Sequence, residues 1–204
     1  MVDTTLITTL QLADASLAAY VLQATVETDD VHCVISQVGD TQVIALRGTD
    51  PDHFIDLLLD AKAIFSRDDP ILGSCSESFV ADAEQLLWRL WPLLRDPFAI
   101  TGHSKGASEA QALAAMLTHM GRPPICVTVF EPAQVGTLND ILLKLPGIAT
   151  RHGGDFVTQE PSGRGHAQPL TLLPWVGPRP LNPIAYHAMA GVRAAVQTLL
   201  NDDE

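Results

Sequence analysis

Apolar residues recur at steps of three and four at the start of the chain. Leu6, Leu10, Ala13, Leu17, Val21 and Ala24 fall on one stripe, which predicts an amphipathic helix over residues 4 to 25. The pattern then changes period: Val31 to Val38 and Thr41 to Leu46 are rich in β-branched residues and flank Gly39-Asp40, a two-residue turn suited to closing a hairpin. The second strand runs straight into Arg47-Gly48-Thr49. Residues 50 to 73 are mixed and read as a lid or pocket wall, with a short helix at Phe54 to Leu59 and a loop at Arg67-Asp68-Asp69-Pro70. Ser74 and Glu77 have capping-box spacing ahead of a helical stripe of Phe79, Ala83, Leu86, Leu87, Leu90 and Leu94, which Asp96-Pro97 ends.

From Phe98 the order is a short buried strand, a tight turn at Gly102, and a helix from Lys105 to Gly121 with Pro123-Pro124 beyond it. Ile125 to Phe130 reads as a further buried strand. A helix near 137 to 144, a strand near 147 to 151 and a Gly/Pro-rich stretch from 153 to 183 follow. The last element is a helix striped by Ala188, Val192, Ala195, Val196 and Leu199, with Asn182-Pro183 placed to start it. Alternating strands and helices predict a three-layer α/β sandwich: a mostly parallel sheet with an N-terminal hairpin, covered on both faces. With no repeat or linker in 204 residues, one domain spanning 1 to 204 is expected.

Composition narrows the function. The formal charge of -12 repels nucleic-acid phosphates at long range, so nucleic acid is not an expected partner. No apolar run approaches the roughly 20 residues that span a bilayer, and no signal peptide is visible, so a cytoplasmic location is expected. Oligomeric state is not written in the sequence. Cys33, Cys75 and Cys126 are odd in number and widely spaced, which fits neither a disulfide framework nor a zinc site; Cys33 and Cys126 lie in strand-like stretches and read as core residues. No metal-ligand spacing and no phosphate-cradling glycine loop occur, so neither metal nor cofactor is expected. Trp88, Trp91 and Trp175 read as packing residues.

Gly102-His103-Ser104-Lys105-Gly106 fits the pattern G-x-S-x-G, in which two glycines let a strand turn sharply into a helix while the serine is presented at the turn. Taken alone, the segment is also a plain helix start with a serine cap. Its setting between a strand and a helix with Ala107, Ala110 and Ala114 on one face argues for the nucleophile elbow. A serine needs a base, and the base needs an orienting carboxylate. His187, at the junction of loop and last helix, is the favoured base over His152 and His166, which read as surface residues. Asp155, after a strand end and Gly153-Gly154, is the favoured acid; Asp140 and Glu131 are its rivals. His103 reads as a structural hydrogen-bonding residue and, with Glu131, as a possible substrate contact. Lys105 is placed to meet an anionic substrate group or Glu131, or to remain solvated.

VIALRGT over Val43 to Thr49, the elbow, VTVFEPAQVG over Val127 to Gly136, Gly154-Asp155-Phe156-Val157 and Tyr186-His187, in that order, resemble the class 3 lipase family of α/β-hydrolases. The resemblance implies a triad of Ser104, Asp155 and His187, with the backbone N-H groups of Thr49 and Lys105 as the oxyanion hole. It implies cleavage of an acyl-ester or lipid substrate through an acyl-enzyme. The same triad would serve a thioesterase, an amidase or a phospholipase A, and a hydrolase scaffold can also carry a non-catalytic binding role. The chain departs from the family at Lys105 and Gly106-Ala107, where an apolar residue and a glycine pair are usual, and at Glu131, where a small residue is usual; Lys105 resembles a bacterial subgroup with a Gly-His-Ser-Lys-Gly elbow.

Overall fold

The computed structural model describes residues 8–49, 66–136, 141–153, 155, 158, 168, 170–176 and 187–202. Helix α1 (Thr9–Ala18) starts at a capping box: Gln11 N donates to Thr8 Oγ1 at 3.2 Å and Thr8 N donates to Gln11 Oε1 at 2.8 Å. It is therefore shorter than the periodicity of residues 4 to 25 predicts, and residues 1–7 of the chain lie outside the described set. Strands β1 (Val26–Glu27), β2 (His32–Val38) and β3 (Thr41–Leu46) follow, β2 and β3 closing as the expected hairpin through Gly39 at φ 57°.

Strands β4 (Ser66–Asp69) and β5 (Gly73–Ser76) form a separate two-stranded sheet. This corrects the reading of Arg67 to Asp69 as loop, while Pro70 lies in the turn between the two strands. Asp69 Oδ1 accepts from the N-H groups of Ile71 and Leu72 and so closes the turn locally. The lid reading for residues 50–65 falls outside the described residues. Ser74 lies within β5, so the capping box expected with Glu77 does not form. Helix α2 (Glu77–Leu90) instead follows Ser76, whose side chain makes no cap bond. Its buried stripe is Phe79, Val80, Ala83, Leu86, Leu87 and Leu90, while Trp88 on the opposite face is 68% exposed and is not a packing residue.

Strand β6 (Phe98–His103) leads through Ser104 into helix α3 (Lys105–His119), and β7 (Cys126–Phe130) follows. Where a helix was expected near 137 to 144, residues 137–140 lie outside the described set and Leu142–Lys144 is a single 3-10 turn. Strand β8 (Ala149–His152) and strand β9 (Leu170–Leu173) complete the large sheet, and helix α4 (Met189–Asp202) ends the chain. Strand β9 was hidden in the Gly/Pro-rich stretch; it is a short edge strand with Leu172 exposed. The expected cap at Asn182-Pro183 lies outside the described residues.

The seven strands run in the order β1-β2-β3-β6-β7-β8-β9, parallel from β3 onward. Alternation along β3 separates the two faces. Ile44 and Leu46 join α2 and α3 in the main core, whereas Val43 packs with Leu12 of α1, and Ala45 with Ala19 just beyond it. On that second face α1 also meets α4, through Ala13, Met189, Val192, Ala195 and Val196, and Arg193 Nε pairs with Asp14 at 2.8 Å. The result is a three-layer sandwich. Cys33 is a core residue, as expected, and burial holds its thiol up to about 12, with the Glu109 charge adding to the effect. Cys75 is also buried and Cys126 is half-buried.

Candidate active site

Parallel strands deliver their polar residues to one edge. Ser104 joins β6 to α3 with φ 58° and ψ -127°, a conformation that residues with a Cβ seldom adopt. Close packing enforces the turn: a Cβ on Gly102 would lie 2.4 Å from Gly106 O, and one on Gly106 would lie 2.5 Å from Leu46 O. Ser104 N donates to Phe130 O at 3.0 Å, which ties the turn to the end of β7. The Ser104 hydroxyl is buried and has no hydrogen-bond partner among the described residues. Gly48, past the end of β3, runs against the same turn, since a Cβ there would meet His103 O at 2.7 Å and Ser104 Cβ at 2.9 Å. Thr49 is the next residue and is half-buried.

His187 and Asp155 are brought together from elements 32 residues apart. The His187 Nδ1-H donates to Asp155 Oδ2 at 2.9 Å, and both residues are buried. Asp155 is itself fixed, its N-H donating to His152 O and its carbonyl accepting from Thr158 Oγ1. With Nδ1 committed, proton acceptance by His187 falls to Nε2. Burial alone would lower the His187 pKa. Its contacts with Asp155 and Glu131 more than reverse this and push it up to about 9.

His103 packs against His187 with ring centroids 4.7 Å apart and the ring planes tilted by 36°. Its Nε2 lies 2.7 Å from the His187 carbonyl, which can only accept, so Nε2 carries the proton and Nδ1 accepts from the Tyr20 hydroxyl at 2.6 Å. Burial keeps the ring neutral by lowering its pKa, against an opposing pull from Glu131. Both ring nitrogens of His103 are thus engaged by protein groups. His103 and Glu131, read also as substrate contacts, are both buried and near protein groups. Tyr20 had no signal in sequence, because only the return of the α1 segment beside Gly48 gives its hydroxyl a role. His152 is buried rather than a surface residue, its Nδ1 2.6 Å from Glu131 Oε1 and its ring edge-on to Trp175. Its place at the end of a strand buried on both faces was the signal available. His166 and Asp140 lie outside the described residues.

Lys105 departs from the reading as a substrate contact or a solvated cation. Its Nζ lies 2.9 Å from Asp82 Oδ2, 3.0 Å from Glu109 Oε1 and 2.9 Å from the Asp30 carbonyl. Burial would lower the Lys105 pKa, but Glu109 and Asp82 outweigh it and raise it. Burial raises the Glu109 carboxyl, opposed by Lys105 and reinforced by Asp82. The lysine therefore pins the first turn of α3 to α2. Lys105→Met, which leaves two acids facing each other in the core, should lower stability by about 3 kcal/mol. The urea midpoint reads this loss, and adding Glu109→Gln should recover most of it.

Ligand atoms of His103, Glu131 and His187 lie within 4.8 Å of one another, the spacing an ion would need. In this structure those atoms face protein donors and acceptors, and we read them as a hydrogen-bonded cluster rather than as metal ligands.

A mostly parallel sheet, helices on both faces and a serine at a strand-to-helix turn define an α/β-hydrolase fold. No family model matches the chain, and no curated protein matches it. Among solved structures it is similar to a Rhizomucor miehei triacylglyceride lipase, with TM-score 0.60 and 14% identity over 80% of this chain and 78% of that one. It is likewise similar to a Yarrowia lipolytica lipase, with TM-score 0.58 and 15% identity over 82% and 79% of the two chains. A lipase from Rhizopus microsporus var. chinensis gives TM-score 0.55 and 20% identity over 64% of this chain and 52% of that one, so the chain spans about half of that lipase. At such identities the likeness establishes the fold. Among the described residues, no helix is long and apolar enough to cross a membrane.

Proposed function

We propose that this chain is a serine hydrolase that cleaves carboxylic esters through an acyl-enzyme on Ser104. The observation that carries the reading is a serine in a positive-φ turn at the head of α3, directly after His103, whose ring packs 4.7 Å from that of His187, with His187 Nδ1 in turn held by buried Asp155. His187 takes the Ser104 proton at Nε2 as the oxygen attacks the acyl carbon, then gives it to the departing alcohol; Asp155 fixes the tautomer. The proposed oxyanion donors are the backbone N-H groups of Lys105 and Thr49. Lys105 is the first residue of α3, where N-H groups have no acceptor within the helix, and the helix dipole favours negative charge at that point. Water resolves the acyl-enzyme, and no cofactor takes part. The fold neighbours named as lipases make an acyl ester or lipid the substrate class of choice.

A fluorophosphonate probe tests the reading. The native chain should label and Ser104→Ala should not. A p-nitrophenyl ester series, run beside a thioester and an anilide of the same acyl group, then separates esterase from thioesterase and amidase. A folded native protein that neither labels nor hydrolyses any of these would instead be a binding protein on a hydrolase scaffold.

A further inference from the structure

Glu131 is the residue that the triad leaves unexplained. It follows β7 with φ 51°, and Ser104 is the other described non-glycine residue with positive φ. It is fully buried. Its N-H donates to Thr150 O at 2.7 Å, which fixes the strained backbone to β8. A left-handed backbone and a buried carboxylate are each unfavourable. That they coincide at one residue requires compensation, and the compensation is a ring of histidines. Oε1 accepts from the His152 backbone N-H at 3.2 Å and from its ring Nδ1 at 2.6 Å. Oε2 lies 3.1 Å from His187 Nδ1 and 3.7 Å from His103 Nε2.

His187 Nδ1 thus has two carboxylate oxygens within reach, Asp155 Oδ2 at 2.9 Å and Glu131 Oε2 at 3.1 Å. One nitrogen carries one proton. Here it is aligned on Asp155, and Glu131 Oε2 has no aligned hydrogen bond. Glu131 therefore acts on His187 through its charge. Resting on the reading of Ser104 and His187 as nucleophile and base, we propose that Glu131 is a positioning residue, a second carboxylate that shares with Asp155 the stabilisation of the imidazolium form of His187.

Two consequences follow for the proton. When His187 Nε2 takes the proton from Ser104 Oγ, the new positive charge faces two carboxylates instead of one. With Asp155 removed, the Nδ1-H has a second acceptor already in range, so the productive tautomer survives. The described ionisable groups facing His187 are Asp155 after β8, Glu131 after β7 and His103 from β6, with His152 reaching it through Glu131. Burial lowers the Glu131 carboxyl's acidity, but its contacts with His103, His152 and His187 overcome this and hold its pKa below the ordinary range, so it is ionised wherever the enzyme is folded and active. His187, held up to about 9, is protonated at neutral pH, and the rate should climb with pH towards that value. Removing the Glu131 charge lowers the His187 pKa, which moves the rising limb towards acid.

The test is the titration of the His187 ring by NMR, together with the pH profile of p-nitrophenyl acetate hydrolysis, in the full chain. In Glu131→Gln both midpoints should fall by about one pH unit or more, and Glu131→Asp should restore most of the difference. A folded Glu131→Gln chain with an unmoved His187 midpoint overturns the proposal. Should Glu131→Gln not fold, Asp155→Asn carries the test, because Glu131 remains. Its His187 should still titrate above the ordinary value of about 6.5. Its hydrolysis should fall by about a hundredfold, against the roughly ten-thousandfold loss seen when a triad has one carboxylate. A His187 midpoint at or below the ordinary value in that variant overturns the proposal. The NMR readout is independent of chemistry at Ser104. Hydrolysis that persists in Ser104→Ala would therefore sink the esterase reading while the coupling of Glu131 to His187 is still measured.

Discussion

Ser104→Ala should reduce ester hydrolysis by about a millionfold, leaving only what the oxyanion donors and binding supply. In the proposed mechanism the loss is that large because nucleophile and base act as one unit: without Oγ, His187 has nothing to deprotonate. Stability should move the other way. The native hydroxyl is buried with no hydrogen-bond partner among the described residues, so its removal takes away a desolvated polar atom. Alanine keeps the positive φ, whereas glycine removes its strain. Ser104→Gly should therefore be more stable than Ser104→Ala by about 1 kcal/mol while equally inactive. Thermal melts of the three proteins beside their kcat/KM values check both halves. If Ser104→Gly melted below Ser104→Ala, the packing of the Cβ would outweigh the strain at the turn.

Gly102→Ala should damage the fold itself. The added Cβ would fall 2.4 Å from Gly106 O, 2.7 Å from Gly106 C and 2.9 Å from Ala107 N, all backbone atoms in the first turn of α3. That turn has nowhere to retreat, because Gly106 is pressed in turn against the carbonyls of Leu46 and Arg47. A cost of about 3 kcal/mol is expected for such overpacking. In a chain of this size that corresponds to a fall in Tm of roughly 6 to 12 °C. Gly39→Ala is the natural control. Its φ of 57° is left-handed, unlike that of Gly102, but nothing lies within 4 Å of the new Cβ, so its whole cost is a backbone one of roughly 1 to 2 kcal/mol. Equal destabilisation by the two changes would show that close packing at the elbow contributes little.

The fold was legible because its elements announce themselves by period and punctuation. Gly39-Asp40 marks the hairpin, and the alanine face of α3 marks a helix lying on a sheet. Two local readings failed where geometry outweighed pattern. Ser74 has the right spacing for a cap but belongs to β5, and Thr8 with Gln11, a weaker-looking pair, is the box that forms. The polar run Arg67 to Asp69 reads as loop, yet a short edge strand needs no apolar alternation, and pairing with β5 is enough. The site was partly legible. Placement at strand ends and loop junctions favoured Asp155 and His187 over their rivals, and these two do meet, while the contacts of Glu131, His152, Tyr20 and Lys105 depend on register between strands and on helix packing. Neither has a short-range trace. Lys105 is the sharpest case: the sequence offered a substrate anion, Glu131 or solvent as its surroundings, and only the approach of Asp82 from α2 and Glu109 one turn along α3 shows what neutralises it.

Adjacent parallel strands β3, β6, β7 and β8 each end at one polar contribution to the site: Gly48-Thr49, Ser104, Glu131 and Asp155 in turn. Their lateral separations are set by the interstrand repeat, about 4.8 Å, and not by the connecting sequence. The sheet thus serves as a ruler with fixed graduations. Divergence confined to the connections can reshape what approaches the serine without altering the spacing of these strand-end groups. A substitution at a strand end, such as the one that puts Glu131 after β7, changes which group is held at a fixed graduation.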